Sequence, residues 1–96
     1  MKSIYRIIVN MRVSGGYIET AHFFITDTKG DALKIFDQLQ GRHASSTAPL
    51  LRIDLVARDS NGPDTIFNSL DCTLQELTEN TKIITKETFK LLNLDQ

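Results

Sequence analysis

The apolar residues of this chain recur with two different periods, and these divide it into six segments. Over residues 3–13 the odd positions Tyr5, Ile7, Val9, Met11 and Val13 are all apolar, while the even positions mix Ile4 and Ile8 with Arg6, Asn10 and Arg12. Period two is the period of a strand, and it puts the odd set on a core face. Ser14-Gly15-Gly16 follows, then a β-rich run over 17–26 (Tyr-Ile-Glu-Thr-Ala-His-Phe-Phe-Ile-Thr). Two such runs about a glycine pair predict a hairpin. Its register stays open. A Gly15-Gly16 loop pairs Glu19 with Arg12 and sends His22 and Phe24 to the core; a three-residue loop sends Phe23 and Ile25 there. A one-residue slip turns every side chain over.

The next segment changes period. Thr28 is the expected N-cap, with Asp31 completing a near capping box. Ala32, Leu33, Phe36 and Leu39, widened by Ile35, make a helical stripe, and Gly41 suits the C′ position. Residues 42–49 are small, polar and aperiodic, and read as an exposed loop. Alternation returns at 50–58. There Leu51, Ile53, Leu55 and Ala57 face the core, and Arg52, Asp54, Val56 and Arg58 face away. Asp59-Ser-Asn-Gly-Pro-Asp64 is turn chemistry. Residues 65–72 read as a strand with Ile66, Asn68, Leu70 and Cys72 on one side. A helix with Ile66, Phe67, Leu70 and Leu74 on one side is the rival, disfavoured by Asn68, Ser69, Asp71 and Thr73 in succession. Thr73-Leu-Gln-Glu76 is a capping box. Leu74, Leu77, Thr81, Ile84, Thr88 and Leu91 then predict one helix to about residue 93, against a break near 81–85 where Lys-Ile-Ile-Thr is β-prone.

The expected fold is therefore one α+β domain of order ββαββα: a four-stranded antiparallel sheet with both helices on one face. The order is a circular permutation of the ferredoxin-like βαββαβ order, which implies no shared function. At 96 residues a single domain of this kind buries a modest share of its surface, so self-association is expected.

Composition narrows the picture further. With 41% hydrophobic residues the chain is globular, and no apolar run is long enough for a membrane span. The single cysteine excludes an internal disulfide framework. Met1-Lys2 leads straight into strand residues, so no secretory leader is expected and the compartment reads as cytoplasmic. The net charge of −1 excludes nucleic-acid binding by bulk charge alone. The charge is uneven: residues 1–60 hold eight Lys/Arg and six Asp/Glu, residues 61–96 three and six, and all five arginines lie in the first part.

Four places are candidates for function. The first is the sheet face away from the helices. It is expected to carry Ile4, Arg6, Ile8, Asn10, Arg12, Phe23 or Phe24, Arg52, Asp54, Val56, Arg58, Phe67, Ser69 and Asp71. Of these Ile4, Arg6, Ile8, Arg12, Arg52, Val56, Arg58 and Phe67 form the expected binding set. Apolar residues there suit burial by a second subunit with arginines at the rim. Arginines among aromatics also suit stacking of single-stranded nucleic acid, but no RNA-recognition consensus accompanies them. The second is Arg42-His43 with Ser45, Ser46 and Thr47, where hydroxyls beside an arginine suit a phosphate. It lacks the spaced glycines of a phosphate loop, and a plain linker is favoured. The third is the 59–64 stretch, which has alternating carboxylates but puts Leu70 where a calcium loop needs an acid; a hairpin turn is favoured. The fourth is a Cys/His or Asp/His enzyme site drawn from Cys72, His22, His43 and Asp54. Each is isolated in sequence, and Cys72 reads as a small core residue. No cofactor or metal is implied. The favoured function is a non-catalytic, self-associating or protein-interaction module, ahead of a nucleic-acid binder and then an enzyme.

The stretch from Cys72-Thr-Leu-Gln-Glu-Leu through Asn80-Thr-Lys-Ile-Ile-Thr-Lys-Glu-Thr-Phe-Lys resembles the C-terminal part of a family of small uncharacterised bacterial proteins. The opening strand and Ile53-Asp54-Leu55-Val56 are similar too. The resemblance implies a bacterial origin and a single long terminal helix, and no particular activity.

Overall fold

The computed structural model describes residues 3–43, 49–59 and 62–92. Its elements are β1 (Ser3–Val13), β2 (Gly16–Thr26), α1 (Lys29–Asp37), β3 (Arg42–His43), β4 (Leu51–Asp59), β5 (Asp64–Cys72) and α2 (Leu74–Leu91). The α+β class holds. The sheet has five antiparallel strands in the order β2-β1-β4-β5-β3, where the sequence suggests four. The added strand is β3, two residues at the start of the supposed loop, paired with β5. The chain order is thus ββαβββα, and the permuted four-strand order does not describe it.

Gly41 explains why β3 forms. Its φ is +151°, and a Cβ there would stand 2.8 Å from the Asp71 carbonyl oxygen. The expected C′ role goes to no glycine: α1 ends earlier, with Gln38 as its C-cap. Gly41 is needed because the backbone passes hard against β5. Thr28 does sit at the N-cap of α1, but its side chain makes no capping bond; its hydroxyl leans on Asp27 at 3.4 Å.

One face of the sheet is the core. Tyr5, Ile7, Val9, Ile53, Leu55, Ala57 and Leu70 pack there with Ala32, Ile35 and Phe36 of α1 and Ile84 of α2. Helix α2 is continuous through the β-prone stretch. The Thr81 hydroxyl donates to the Leu77 carbonyl at 2.9 Å, satisfying itself within the helix, and Ile84 anchors the turn in the core. The capping box forms as its sequence requires, with Thr73 N–H donating to Glu76 Oε1 at 2.8 Å and Glu76 N–H to Thr73 Oγ1 at 3.1 Å. Asn80, fully buried in mid-helix, clamps α2 to the segment after α1. It accepts from Gln40 N–H at 2.7 Å and donates to the Gln40 carbonyl at 2.8 Å. Among the described residues no helix is long and apolar enough to cross a membrane.

The hairpin register resolves through two irregularities. Val13 pairs with Gly16 and Arg12 with Tyr17, so the loop is Ser14-Gly15. Left alone, that register would turn Phe23 outward. An extra residue between the Val9–Ala21 and Asn10–Glu19 pairs, Thr20, flips the parity. Phe23 then joins the core side, and His22 and Phe24 face out. Ile25, extra at the second irregularity, is buried in the core.

Candidate functional site

The outward face can be read row by row, because residues directly opposite on neighbouring strands share a side. Across β2, β1, β4 and β5 one row runs Phe24, Arg6, Val56, Ile66. The next runs His22, Ile8, Asp54, Ser69, and the next Glu19, Asn10, Arg52, Asp71, with Arg42 of β3 beyond Asp71. Ile4, Arg58 and Asp64 form a row at one end, and Tyr17 with Arg12 at the other.

Two polar networks tie these rows together. In the first, Arg6 is buried at 8% exposure beneath its neighbours. Its Nη2 donates to Asp64 Oδ1 at 2.5 Å, and Arg58 Nε donates to the same oxygen at 2.8 Å. Arg6 Nη1 lies 3.4 Å from His22 Nε2, and His22 Nδ1 lies 3.3 Å from Glu19 Oε2. The hydrogen bond from Arg6, and after it that from Arg58, hold the Asp64 carboxyl below its ordinary range against the opposing effect of burial. In the second network Asp54, 3% exposed, accepts from Asn10 Nδ2 at 3.0 Å and Ser69 Oγ at 2.6 Å, with Arg52 Nε at 3.3 Å. Arg52 also lies over the Tyr17 ring, 5.1 Å from its centroid, and the Tyr17 hydroxyl donates to the Pro49 carbonyl at 2.8 Å.

Charge segregates by chemistry. All five arginines (Arg6, Arg12, Arg42, Arg52, Arg58) belong to outward rows, while every described lysine (Lys29, Lys34, Lys82, Lys86, Lys90) belongs to a helix. Four carboxylates interleave with the arginines: Glu19, Asp54, Asp64 and Asp71. The face is therefore nearly neutral. Three apolar side chains stand out of it: Phe24 at 65% exposure, Ile66 at 57% and Ile4 at 46%.

Of the expected set, Ile4, Arg6, Ile8, Arg12, Arg52, Val56 and Arg58 share this face. Phe67 does not. It is the extra residue of a β-bulge between the Leu55–Asn68 and Val56–Ile66 pairs, which turns it to the helix side. There it stacks on Tyr5 with ring centroids 5.9 Å apart, and Lys29 Nζ sits 5.2 Å over it. The same bulge swings Ile66, expected in the core, onto the outward face. Asp64 was legible as a turn residue and as a carboxylate of the calcium-like stretch, yet it joins two arginines from its place opposite Arg58. Asn80 carried no signal beyond being a polar residue beside the apolar stripe.

The remaining candidates fall on two faces: His43, opposite Leu70, shares the helix side with Cys72 and is diagonal to it, while His22 and Asp54 lie outward. Cys72 faces the helix side, and burial, with Glu76 and Asp71 opposing the thiolate, pushes its thiol up to about 11. His22 is on the other face. His22 and Asp54 share a row but have β1 between them, about 10 Å at sheet spacing. His43 lines a cleft of about 160 Å³ with Phe36, Asp37, Leu39, Gly41, Asn68 and Leu70. That is about half the lower bound for ordinary ligand pockets. Ser45, Ser46 and Thr47, and Ser60 and Asn61 of the calcium-like stretch, lie outside the described residues. Among the described residues no three His, Cys, Asp or Glu side chains gather where a metal ion could sit. Comparison with protein-family models, curated proteins and solved structures finds no match to this chain.

Proposed function

We propose that this chain is a non-catalytic interaction module, and that its outward sheet face docks on the same face of a second copy. The observation that carries the reading is the segregation of arginine. Protein interfaces are enriched in arginine and depleted of lysine, and this face carries arginine and no described lysine while the helices carry lysine and no arginine. A second copy is the occupant that the charge favours. Five arginines against four carboxylates leave the face nearly neutral, so a second copy meets little repulsion there. At ordinary strand spacing and rise the four long strands present about 19 Å by about 30 Å, or about 600 Å², at the low end of the roughly 800 Å² per partner of a standard interface. Phe24, Ile66 and Ile4 would be the apolar anchors. Nucleic acid fits less well, because Asp64 and Asp54 already occupy Arg6, Arg58 and Arg52 and would repel phosphate.

Analytical ultracentrifugation tests this. The chain should be dimeric at micromolar concentration, and Phe24→Glu should be monomeric with an unchanged circular dichroism spectrum. A strict monomer at high concentration, or a dimer indifferent to Phe24→Glu, would overturn the reading. Salt-sensitive binding of single-stranded RNA by the monomer would replace it with the nucleic-acid alternative.

A further inference from the structure

We infer that the cleft between the end of α1 and the β3–β5 edge binds a small amino alcohol. The inference is independent of the outward face, because this cleft lies on the helix side of the sheet. Its origin is the path of the chain. Helix α1 ends at Asp37, and Gly41 then brings the backbone hard against β5, where a Cβ would stand 2.8 Å from the Asp71 carbonyl oxygen. The segment between them leaves a gap of about 160 Å³, floored by Phe36, Leu39 and Leu70, all buried. That is too small for a drug-sized molecule, but it matches the roughly 150 Å³ cavity that admits benzene.

The lining also holds three polar side chains: Asp37, His43 and Asn68. Asp37 and His43 make no side-chain hydrogen bond or ion pair among the described residues. Asn68 Oδ1 accepts from Ser69 N–H at 3.0 Å, which leaves its Nδ2 without a partner among the described residues. Elsewhere the polar side chains are matched to one another: Asp54 to Asn10 and Ser69, Asn80 to Gln40, and Asp64 to two arginines. Unmatched polar groups around an apolar floor suit a small-molecule site, because they orient a ligand whose body rests on the floor.

The three groups specify the chemistry that complements them. Asp37 only accepts, and it is the one carboxylate in the lining. It is also the last residue of α1, where the helix dipole presents its negative end. A cation is favoured there and an anion repelled. Lys34, one turn earlier on α1, is not part of the lining. Asn68 Nδ2 only donates, so it calls for an oxygen. A hydroxyl oxygen accepts from it, and the hydroxyl proton is then available to a ring nitrogen of His43. An ammonium and a hydroxyl on one short carbon chain satisfy all three groups, and the chain between them covers Phe36 and Leu70.

Nitrogen-15 NMR titrations at neutral pH test this with three probes of equal size: aminopropanol with its polar groups on the terminal carbons, n-butylamine and n-butanol. The amino alcohol should shift the backbone N–H signals of Gly41, His43 and Asn68 saturably, with a dissociation constant of about 1 mM, the scale open to so few atoms. The amine and the alcohol should each bind more weakly by about fivefold, the effect of losing one polar contact. Asp37→Asn, at an exposed position, should weaken the amino alcohol by about fivefold and leave n-butanol unchanged. Phe24→Glu should bind like the wild type, so loss of the dimer leaves this inference standing. Three outcomes overturn it and leave the dimer reading untouched: no saturable shift at those signals, equal affinity for the amino alcohol and either comparator, or an Asp37→Asn variant that binds like the wild type. Loss of binding in Phe24→Glu also overturns it, since the site would then belong to the outward face.

Discussion

The two faces of this sheet are made by the same strands and obey opposite rules. On the helix side Ile7, Val9, Ile53 and Leu55 have no exposed surface, and their neighbours are apolar side chains of the strands and helices. On the outward side Arg6, Asp54 and Val56 are also below 10% exposure, yet no helix among the described residues lies over them. They are buried by their neighbours' long side chains. Equal burial thus arises from two kinds of cover, one rigid and one made of polar side chains that can move. Low exposure alone does not define a core; what lies above the residue does.

The sharpest way to break this comparison is one substitution made on both faces. Val9 is fully buried in the core and Val56 is 3% exposed on the outward side. Val9→Ala leaves a cavity between packed layers and should cost about 2–3 kcal/mol in urea denaturation. Val56→Ala lies under side chains that can settle into the space, and should cost about 1 kcal/mol or less. Equal losses would mean that the outward rows are packed as firmly as the core, and the distinction between the faces would fall.

A second test asks what locks the helix layer to the sheet. Asn80 makes a reciprocal pair of hydrogen bonds with the Gln40 backbone from inside α2. Asn80→Ala leaves a buried donor and acceptor without partners and should cost about 2 kcal/mol. Asn80→Asp keeps the acceptor for Gln40 N–H but loses the donor and buries a charge, so it should not rescue stability. A near-neutral Asn80→Ala would mean that the apolar stripe alone holds α2 in place.

These examples also mark what the sequence could tell. Alternation exposed the odd face of β1 and the core face of β4 because both strands run without irregularity against each other. The capping box and the long terminal helix were equally plain, since both are local. What escaped was every parity change. The extra residues Thr20, Ile25 and Phe67 each shift one strand by one position, and nothing in their side chains announces a bulge. The consequence for the site is direct: Phe67 leaves the outward face, Ile66 joins it, and the choice between Phe23 and Phe24 is made by Thr20. β3 escaped for another reason. Its strand status comes from β5 beside it and from the space that Gly41 leaves, both long-range facts.

The smallest expected effect compares two carboxylates, one on each side of the molecule. Asp64 on the outward face is held below its ordinary range first by the hydrogen bond from Arg6. Glu87 on α2 is held below its range first by the hydrogen bond from Gln38, then by that from Lys90. In both cases the folded state binds its proton less readily than the unfolded chain. Each contribution to stability is therefore present above the unfolded carboxylate value of about 4 and is lost as pH falls through the folded value. Asp64→Asn and Glu87→Gln remove the titration, so the gap between wild type and each variant should narrow as pH drops from about 6 to about 2.5. Asp64 is shared by two arginines, one of them buried, whereas Glu87 meets partners on the helical surface. The narrowing should therefore be larger for Asp64→Asn, measured as urea midpoints at concentrations low enough to keep the chain monomeric. Parallel curves for wild type and Asp64→Asn would mean that Arg6 is held by its burial rather than by Asp64. The first polar network would then be a consequence of packing on the outward face and no longer its organiser.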